Sequence, residues 1–222
     1  MNVLTIDIGG THVKLLASNQ TEPRRFDSGP SLTPAQMVEQ VKALTKDWTY
    51  QAIAIGYPGL VVHDRVAAEP SNLGRGWVGF DFARAFDRPV RLLNDAAMQA
   101  VGCYETGRML FLGLGTGLGS AMIVDGLLQP MELAHLPYRK GRTYEDYLGL
   151  DGMKRLGKRK WRRHVWAVVD ILRQALEPDS VVVGGGNATK LAELPAGVRL
   201  GDNANAFVGG FRLWAGKKGN RP

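Results

Sequence analysis

The chain sets down the same short arrangement twice: an apolar strand, a glycine-threonine turn and a second strand. The first copy runs Val3-Leu4-Thr5-Ile6, then Asp7-Ile8-Gly9-Gly10-Thr11, then His12 to Ala17. The second runs Met109-Leu110-Phe111-Leu112, then Gly113-Leu114-Gly115-Thr116-Gly117-Leu118-Gly119, then Ser120 to Val124. Glycine lets a backbone approach an anion closely, successive N–H groups supply donors, and the threonine hydroxyl adds another. Two such hairpins facing each other could hold one phosphate chain between two lobes. Neither is a Walker A loop, because no Gly-Lys-Ser/Thr follows. A strand follows the second loop where a dinucleotide site needs a helix. The alternative is a pair of tight hairpins with glycine at positive φ. The repetition, with an acid inside the first copy, weighs toward phosphate.

Between and after these loops, strand and helix patterns alternate, which predicts an α/β protein. Pro34 to Lys46 carries Met37, Val38, Val41 and Leu44 on one stripe, with Thr33 as N-cap. Ala52 to Gly56 reads as a buried strand that stops at Gly56-Tyr57-Pro58-Gly59, a turn signal. Residues 60–77 read as a hairpin and a loop, Phe80 to Phe86 as a short helix, and Val90 to Leu93 as a strand. A helix of small residues then continues to near Tyr104. In the second half, helical patterns cover Tyr144 to Leu156 and Trp161 to Leu176, a strand covers Val181 to Val183, and an apolar helix covers Asn203 to Trp214. The expected division is a first lobe over 1–107, completed by a returning segment 203–222, and a second lobe over 108–202.

Length and composition suit this. A chain of 222 residues with 45% hydrophobic and 22% charged residues has enough apolar material for two small lobes. No apolar run approaches a membrane span, and no basic-then-apolar leader opens the chain. The single cysteine, Cys103, excludes an internal disulfide and a thiolate-rich zinc site. A cytoplasmic location is the inference. The net charge of +7 is concentrated locally. Lys154, Arg155, Lys158, Arg159, Lys160, Arg162 and Arg163 fall in one stretch without an acid, so the rest of the chain is neutral overall. Such a strip suits a polyanionic partner, or it is a solvated helix face. No stacking platform or reading helix beyond Trp161 and Trp166 accompanies it, so nucleic acid is not the expected partner.

Three further groups can carry chemistry. Asn94-Asp95 stands at a strand end, where ligands bind in α/β sheets. A carboxylate there can take the proton of a hydroxyl attacking phosphorus, or it can simply cap the following helix. Glu132, His135 and Glu145 form a polar set. The first two lie among Met131, Leu133 and Leu136, which predicts buried polar groups needing partners, such as several sugar hydroxyls. The set lacks the ligand spacing of a zinc site. Gly184-Gly185-Gly186 follows a strand and suits either a flat group such as adenine or a close-packed turn.

Taken together, these motifs resemble the ROK family of sugar kinases and repressors, within the actin/hexokinase-like ATPase fold. Asp7-Ile8-Gly9-Gly10-Thr11 and Leu114-Gly115-Thr116-Gly117-Leu118-Gly119 resemble its phosphate loops, and Asn94-Asp95-Ala96 its catalytic motif. Glu132-Leu133-Ala134-His135 is similar to its Glu-x-Gly-His sugar motif, with Ala134 for glycine. Glu145 matches a later sugar-contacting glutamate, and Val183-Gly184-Gly185-Gly186 resembles the adenosine segment. Within the family the likeness is nearest to the polyphosphate glucokinase branch. It is carried by Thr143-Tyr144-Glu145-Asp146-Tyr147, Lys158-Arg159-Lys160-Trp161-Arg162-Arg163 and Gly201-Asp202-Asn203-Ala204-Asn205-Ala206-Phe207. The family's Cys-x-Cys-Gly-x-x-Gly-Cys zinc motif is absent, and without a helix-turn-helix segment ahead of the first strand the kinase branch is expected over the repressor branch.

The resemblance implies a two-lobed, ribonuclease H-like fold with a cleft between the lobes. It implies phosphoryl transfer to the 6-hydroxyl of glucose or a similar hexose, with Asp95 as general base. Asn94, Glu132, His135, Glu145, Asn72 and Gly59 would hold the sugar. Asp7, Gly9, Gly10, Thr11, Gly115, Thr116, Gly117, Gly184 and Gly185 would hold the donor, either ATP or inorganic polyphosphate. Asp7 would orient Mg²⁺ through water, and the basic strip would guide polyphosphate. A homodimer is implied by the resemblance alone. A sugar-binding sensor without catalysis is the alternative within the same fold, as is a kinase for another hexose.

Overall fold

A computed structural model describes residues 1–202 and 204–215. The first ten elements are β1 (Val3–Ile8), β2 (His12–Ala17), β3 (Arg24–Asp27), α1 (Pro34–Leu44), β4 (Ala52–Tyr57), β5 (Val61–Val62), β6 (Arg65–Val66), α2 (Phe82–Phe86), β7 (Val90–Asn94) and α3 (Asp95–Cys103). They are followed by β8 (Arg108–Leu114), β9 (Leu118–Val124), β10 (Leu127–Met131), β11 (Pro137–Arg139), β12 (Arg142–Thr143), α4 (Tyr144–Leu148), α5 (Leu150–Leu156), α6 (Lys158–Leu176), β13 (Ser180–Gly184), β14 (Val198–Leu200) and α7 (Asn205–Trp214). The chain divides into two compact units. One is Met1–Gly102 with the described residues from Ala206 onward, and the other is Cys103–Asn205. Of the segment 203–222 expected to return to the first lobe, Asn203 and 216–222 lie outside the described residues. No helix among the described residues is long and apolar enough to cross a membrane.

Each unit is a five-stranded mixed sheet, and the two share one plan. The first has the order β3-β2-β1-β4-β7, the second β10-β9-β8-β13-β14. In both, three strands run as an antiparallel meander and two more add in parallel on the far side of its first strand. The glycine-threonine turns are the first hairpin of each meander.

In the first unit both faces of the sheet are covered. Leu4, Ile6 and Ile8 alternate onto one face and share a core with Met37, Val38 and Val41 of α1. Thr5 points to the other face, where its hydroxyl donates to the Phe207 carbonyl of α7 at 3.4 Å. α1 starts as the sequence predicts. Thr33 accepts from the Gln36 N–H while Gln36 reaches back to the Thr33 N–H, a reciprocal cap. α7 lies close to its neighbours because of two glycines. A Cβ on Gly209 would fall on the Met98 carbonyl of α3, and one on Gly210 on the Thr5 side chain.

The second unit is built on α6. Trp161, Val165, Val168, Val169 and Leu172 recur at helical spacing and are buried. The Trp161 ring is fully buried and its Nε1–H donates to the Leu148 carbonyl at 2.8 Å. Trp161→Ala is expected to destabilise this unit by about 3–5 kcal/mol. Trp161→Phe should cost about 1–3 kcal/mol, because it strands a buried carbonyl. Denaturant unfolding of the two variants measures both.

The structure adjusts several boundaries. The helix expected over 144–156 is two helices, α4 and α5, divided at Gly149. A Cβ at Gly149 would stand 2.8 Å from the Thr116 carbonyl, so the break packs against the second glycine-threonine turn. α6 begins at Lys158, one turn ahead of the expected Trp161. The helix expected over Phe80–Phe86 covers only Phe82–Phe86.

Candidate active site

In the first unit, Asp7 sits near the end of β1 and pairs in register with Lys14 of β2. The Lys14 Nζ lies 3.6 Å from the Asp7 carboxylate. Burial pushes the Asp7 carboxyl above the usual carboxylate range, and the Lys14 ammonium partly offsets this. The following turn is held by the Gly9 N–H donating to the His12 carbonyl at 2.9 Å. The Ser28 hydroxyl donates to the Gly9 carbonyl, and the Ser28 N–H to the Thr11 carbonyl. Thr11 is exposed at the tip, its hydroxyl 3.1 Å from the His12 ring. Gly10 lies against the side chain of Asn72, whose Cβ stands 3.5 Å from where a Gly10 Cβ would be.

Asn94 and Asp95 close the C-terminal end of β7 and open α3. The capping role belongs to Asn94. Its Oδ1 accepts from the N–H groups of Ala96 at 2.9 Å and Ala97 at 3.2 Å. Its amide donates to the Gly59 carbonyl at 3.1 Å, which ties the Pro58-Gly59 turn to the same place. Asp95 is the first helical residue, half-buried, with one carboxylate oxygen 2.7 Å from the Ala96 nitrogen. The first unit therefore brings Asn94, Asp95 and Gly59 together at one strand end, and Asn72 and Gly10 together at the first glycine-threonine turn.

In the second unit, the turn at Gly115–Gly117 is closed by the Gly115 N–H donating to the Gly117 carbonyl at 3.1 Å. Helices α4 and α5 brace it. The Leu150 N–H donates to the Thr116 carbonyl at 3.0 Å, and the Leu118 N–H to the Glu145 carboxylate at 3.0 Å. A Cβ on Gly117 would collide with that carboxylate. Glu145 is thus a brace of the second glycine-threonine turn, with its other oxygen not committed to that bond.

Glu132 and His135 are exposed, which corrects the expectation that they are buried among apolar neighbours. Residues 133–135 form one 3₁₀ turn that sends Ala134 inward and leaves Glu132 and His135 to solvent. The Ser120 hydroxyl anchors the segment by donating to the Met131 carbonyl and accepting from the Leu133 N–H.

The triple glycine has a packing reason at one position. Gly185 has φ +82°, and a Cβ there would stand 2.6 Å from the Leu114 carbonyl oxygen. Gly184 is buried at the end of β13, while Gly186 is exposed with open space around it. The neighbouring Asn187 is buried and spans to the second glycine-threonine turn. Its N–H donates to the Leu114 carbonyl at 2.9 Å and its amide to the Gly115 carbonyl at 2.7 Å. Lys190 donates to the Asn187 Oδ1 at 2.6 Å, and Arg162 of α6 donates to the Lys190 carbonyl at 2.6 Å.

The basic strip is therefore divided. Arg162 is a structural brace. Arg155 donates to the Asp146 carbonyl and lies over the Tyr147 ring, and Lys154 stands 3.6 Å from Asp151. Lys158, Arg159, Lys160 and Arg163 are exposed and form no ion pair among the described residues.

Sequence reading did not single out Lys14, Ser28 or Asn187. Lys14 was reachable, because a tight hairpin after Asp7 places it opposite. Ser28 and Asn187 depend on tertiary neighbours with no local signature. No group of three or more His, Cys, Asp or Glu among the described residues could hold a metal ion.

Comparison with known proteins places these loops in a family. The ROK family model matches residues 3–130, from β1 to β10, and so includes both glycine-threonine turns and Asn94-Asp95. A polyphosphate glucokinase of Mycobacterium tuberculosis (strain CDC 1551 / Oshkosh) is 28% identical over 209 residues, covering 83% of this chain and 77% of the relative. An N-acetylmannosamine kinase of Salmonella typhi is 30% identical over 144 residues, covering 58% of this chain and 49% of the relative. The crystal structure of an inorganic polyphosphate/ATP-glucomannokinase from Arthrobacter sp. strain KM superposes with a TM-score of 0.82 at 24% identity, covering 96% of this chain and 98% of the other. The two-sheet α/β architecture is the fold of that structure. The chain belongs to the ROK family.

Proposed function

We propose that this chain is a glucokinase-type enzyme that transfers the terminal phosphoryl group of polyphosphate or ATP to the 6-hydroxyl of glucose. The observation that carries the reading is the division of labour at the end of β7. Asn94 accepts from both Ala96 and Ala97 while Asp95 shares only the first of these donors, so the cap of α3 does not depend on the carboxylate that stands half-buried beside it at the strand end. Asp95 takes the proton of the sugar hydroxyl as that oxygen bonds to phosphorus. The bond from phosphorus to the bridging oxygen breaks, and the shortened donor leaves with its electron pair. Gly9, Gly10 and Thr11 of the first unit and Gly115, Thr116 and Gly117 of the second hold the donor phosphates, with Gly184 and Gly185 on the nucleotide side. Glu132, His135, the uncommitted oxygen of Glu145, Asn72, Gly59 and the second amide proton of Asn94 serve the sugar hydroxyls.

A magnesium ion fits this set only with help from the donor. Asp7 is a lone carboxylate beside Lys14, and burial disfavours its charge, which a cation would relieve. Mg²⁺ keeps several waters and takes phosphate oxygens readily, so Asp7 would meet it through water. When bound, the ion neutralises charge on the donor phosphates.

Polyphosphate is favoured as donor by the start of α6. Lys158, Arg159 and Lys160 occupy the first turn, which has no acid and no side-chain cap. Cations at a helix N-terminus oppose the helix dipole, and an anion there is favoured. A bound polyanion satisfies both. Salt is therefore expected to inhibit the polyphosphate reaction strongly and the ATP reaction weakly. Charge reversal of Lys158, Arg159 and Lys160 should raise the polyphosphate KM and spare glucose binding. Equal salt dependence for both donors, or unchanged kinetics, would leave this turn as a solvated face.

The deciding experiment is glucose 6-phosphate formation with Mg²⁺ and each donor. Turnover identifies the donor. Glucose binding without turnover supports the sensor reading, and turnover only with mannose or N-acetylmannosamine moves the acceptor to another hexose.

A further inference from the structure

The loop that carries Asn72 is closed by one carboxylate. Glu69 follows β6 at the start of the connection to α2. Its Oε1 accepts from the N–H groups of Gly76 at 3.3 Å and Val78 at 3.2 Å, and its Oε2 from the Trp77 N–H at 3.2 Å. Three successive backbone donors thus converge on one anion, a concavity of the kind that binds free anions elsewhere. Gly76 has φ +93°, a conformation that side chains strain to adopt and that helps turn these donors the same way. Those N–H groups, with Arg75 nearby, hold the Glu69 carboxyl below its ordinary range against the opposing effect of desolvation.

The loop is pinned at three more points. The Tyr57 hydroxyl donates to the Ala68 carbonyl at 2.9 Å, just before Glu69. The Gly74 N–H donates to the Leu32 carbonyl at 3.0 Å, and a Cβ at Gly74 would stand 2.9 Å from that oxygen. Trp77 is fully buried against Tyr57 and Phe82. Leu73 is buried too, while Asn72 beside it is exposed and its side chain rests on Gly10. The Asn72 side chain has no hydrogen bond of its own among the described residues, so loop shape alone decides where it points.

We propose that Glu69 is a positioning residue for the acceptor site: by clamping Gly76–Val78 it holds Asn72 against Gly10, tying the sugar contact to the first phosphate turn. This rests on the kinase reading of Asn72 and Gly10. Glu69 itself touches neither sugar nor donor.

The test pairs amide hydrogen exchange with steady-state kinetics on the full chain. Glu69→Gln keeps the shape but replaces one accepting oxygen with a donor. Gly76→Ala strains the turn without touching Glu69. In each, the Gly76, Trp77 and Val78 amides should exchange faster, and the KM for the sugar should rise about tenfold, the worth of one charged hydrogen bond. kcat with saturating sugar and the thermal midpoint of the second unit should stay near wild type. The double variant should be no worse than the single ones, because both open the same clamp. Unchanged exchange overturns the clamp. Faster exchange with an unchanged sugar KM overturns the positioning role while the kinase reading stands. A wild-type chain that turns over no sugar overturns the kinase reading, and the inference falls with it.

Discussion

Asp95→Asn is expected to lower turnover by about 10²- to 10⁴-fold, the range lost when a positioned general base is removed. The sugar KM should change little. Asparagine has nearly the same shape and can still accept from the Ala96 N–H, which lies 2.7 Å from the Asp95 carboxylate. What it cannot do is take up the proton of an attacking hydroxyl. Helix α3 should survive, because its cap is Asn94. The neighbouring substitution should behave in the opposite way. Asn94→Ala removes the cap, costing about 1 kcal/mol, and frees the Gly59 turn, so it should lower stability and sugar affinity together. Rates and melting curves of the two variants separate chemistry from scaffolding. An Asp95→Asn variant that keeps its rate would place the proton acceptor elsewhere.

The second large effect is expected from Gly209→Ala in α7. The added methyl would fall on the Met98 carbonyl oxygen, a backbone atom of α3 that cannot rotate away. Overpacking usually costs about 1–3 kcal/mol, and more when backbone must move. In a unit of this size each kcal/mol lowers the melting point by about 4 °C. α3 is also the helix that begins with Asp95, so the same shift should reduce turnover in molecules that remain folded. Gly186→Ala is the control, because a Cβ there meets nothing within 4 Å and the protein should melt like wild type. A Gly209→Ala protein with wild-type melting would mean that α7 is free to slide on α3.

The sequence was legible wherever burial imposes a period. β1, β4, β8 and β13 are runs of buried apolar residues, and α1 has a stripe and a cap. The sheet edges were not legible. β3 reads Arg-Arg-Phe-Asp, β10 contains Pro130, and β14 is three residues long, so none shows an alternation that outweighs its neighbours. The first turn of α6 was missed because Lys158, Arg159 and Lys160 contribute nothing to an apolar stripe.

The same rule holds at the candidate site. The glycine-threonine turns and Asn94-Asp95 are contiguous and could be read as words. Glu69, Ser28 and Asn187 act on residues seven to more than seventy positions away, through backbone groups whose positions only the folded chain reveals. Glu132 and His135 were visible as residues but misread in environment. A single 3₁₀ turn, invisible to periodicity, sends Ala134 inward in their place.

The way the chain is divided has a consequence for its birth on the ribosome. Cys103–Asn205 is one uninterrupted stretch with its own core, so it can fold as soon as it has emerged. The first unit emerges earlier but lacks α7, the helix that covers Thr5 and lies along α3. Until that helix is synthesised, the Thr5 face of the oldest sheet has only the part of its cover that α3 supplies. The part made first is therefore the part finished last, and a released chain truncated before Ala206 would carry the whole second unit behind a first unit that lacks α7.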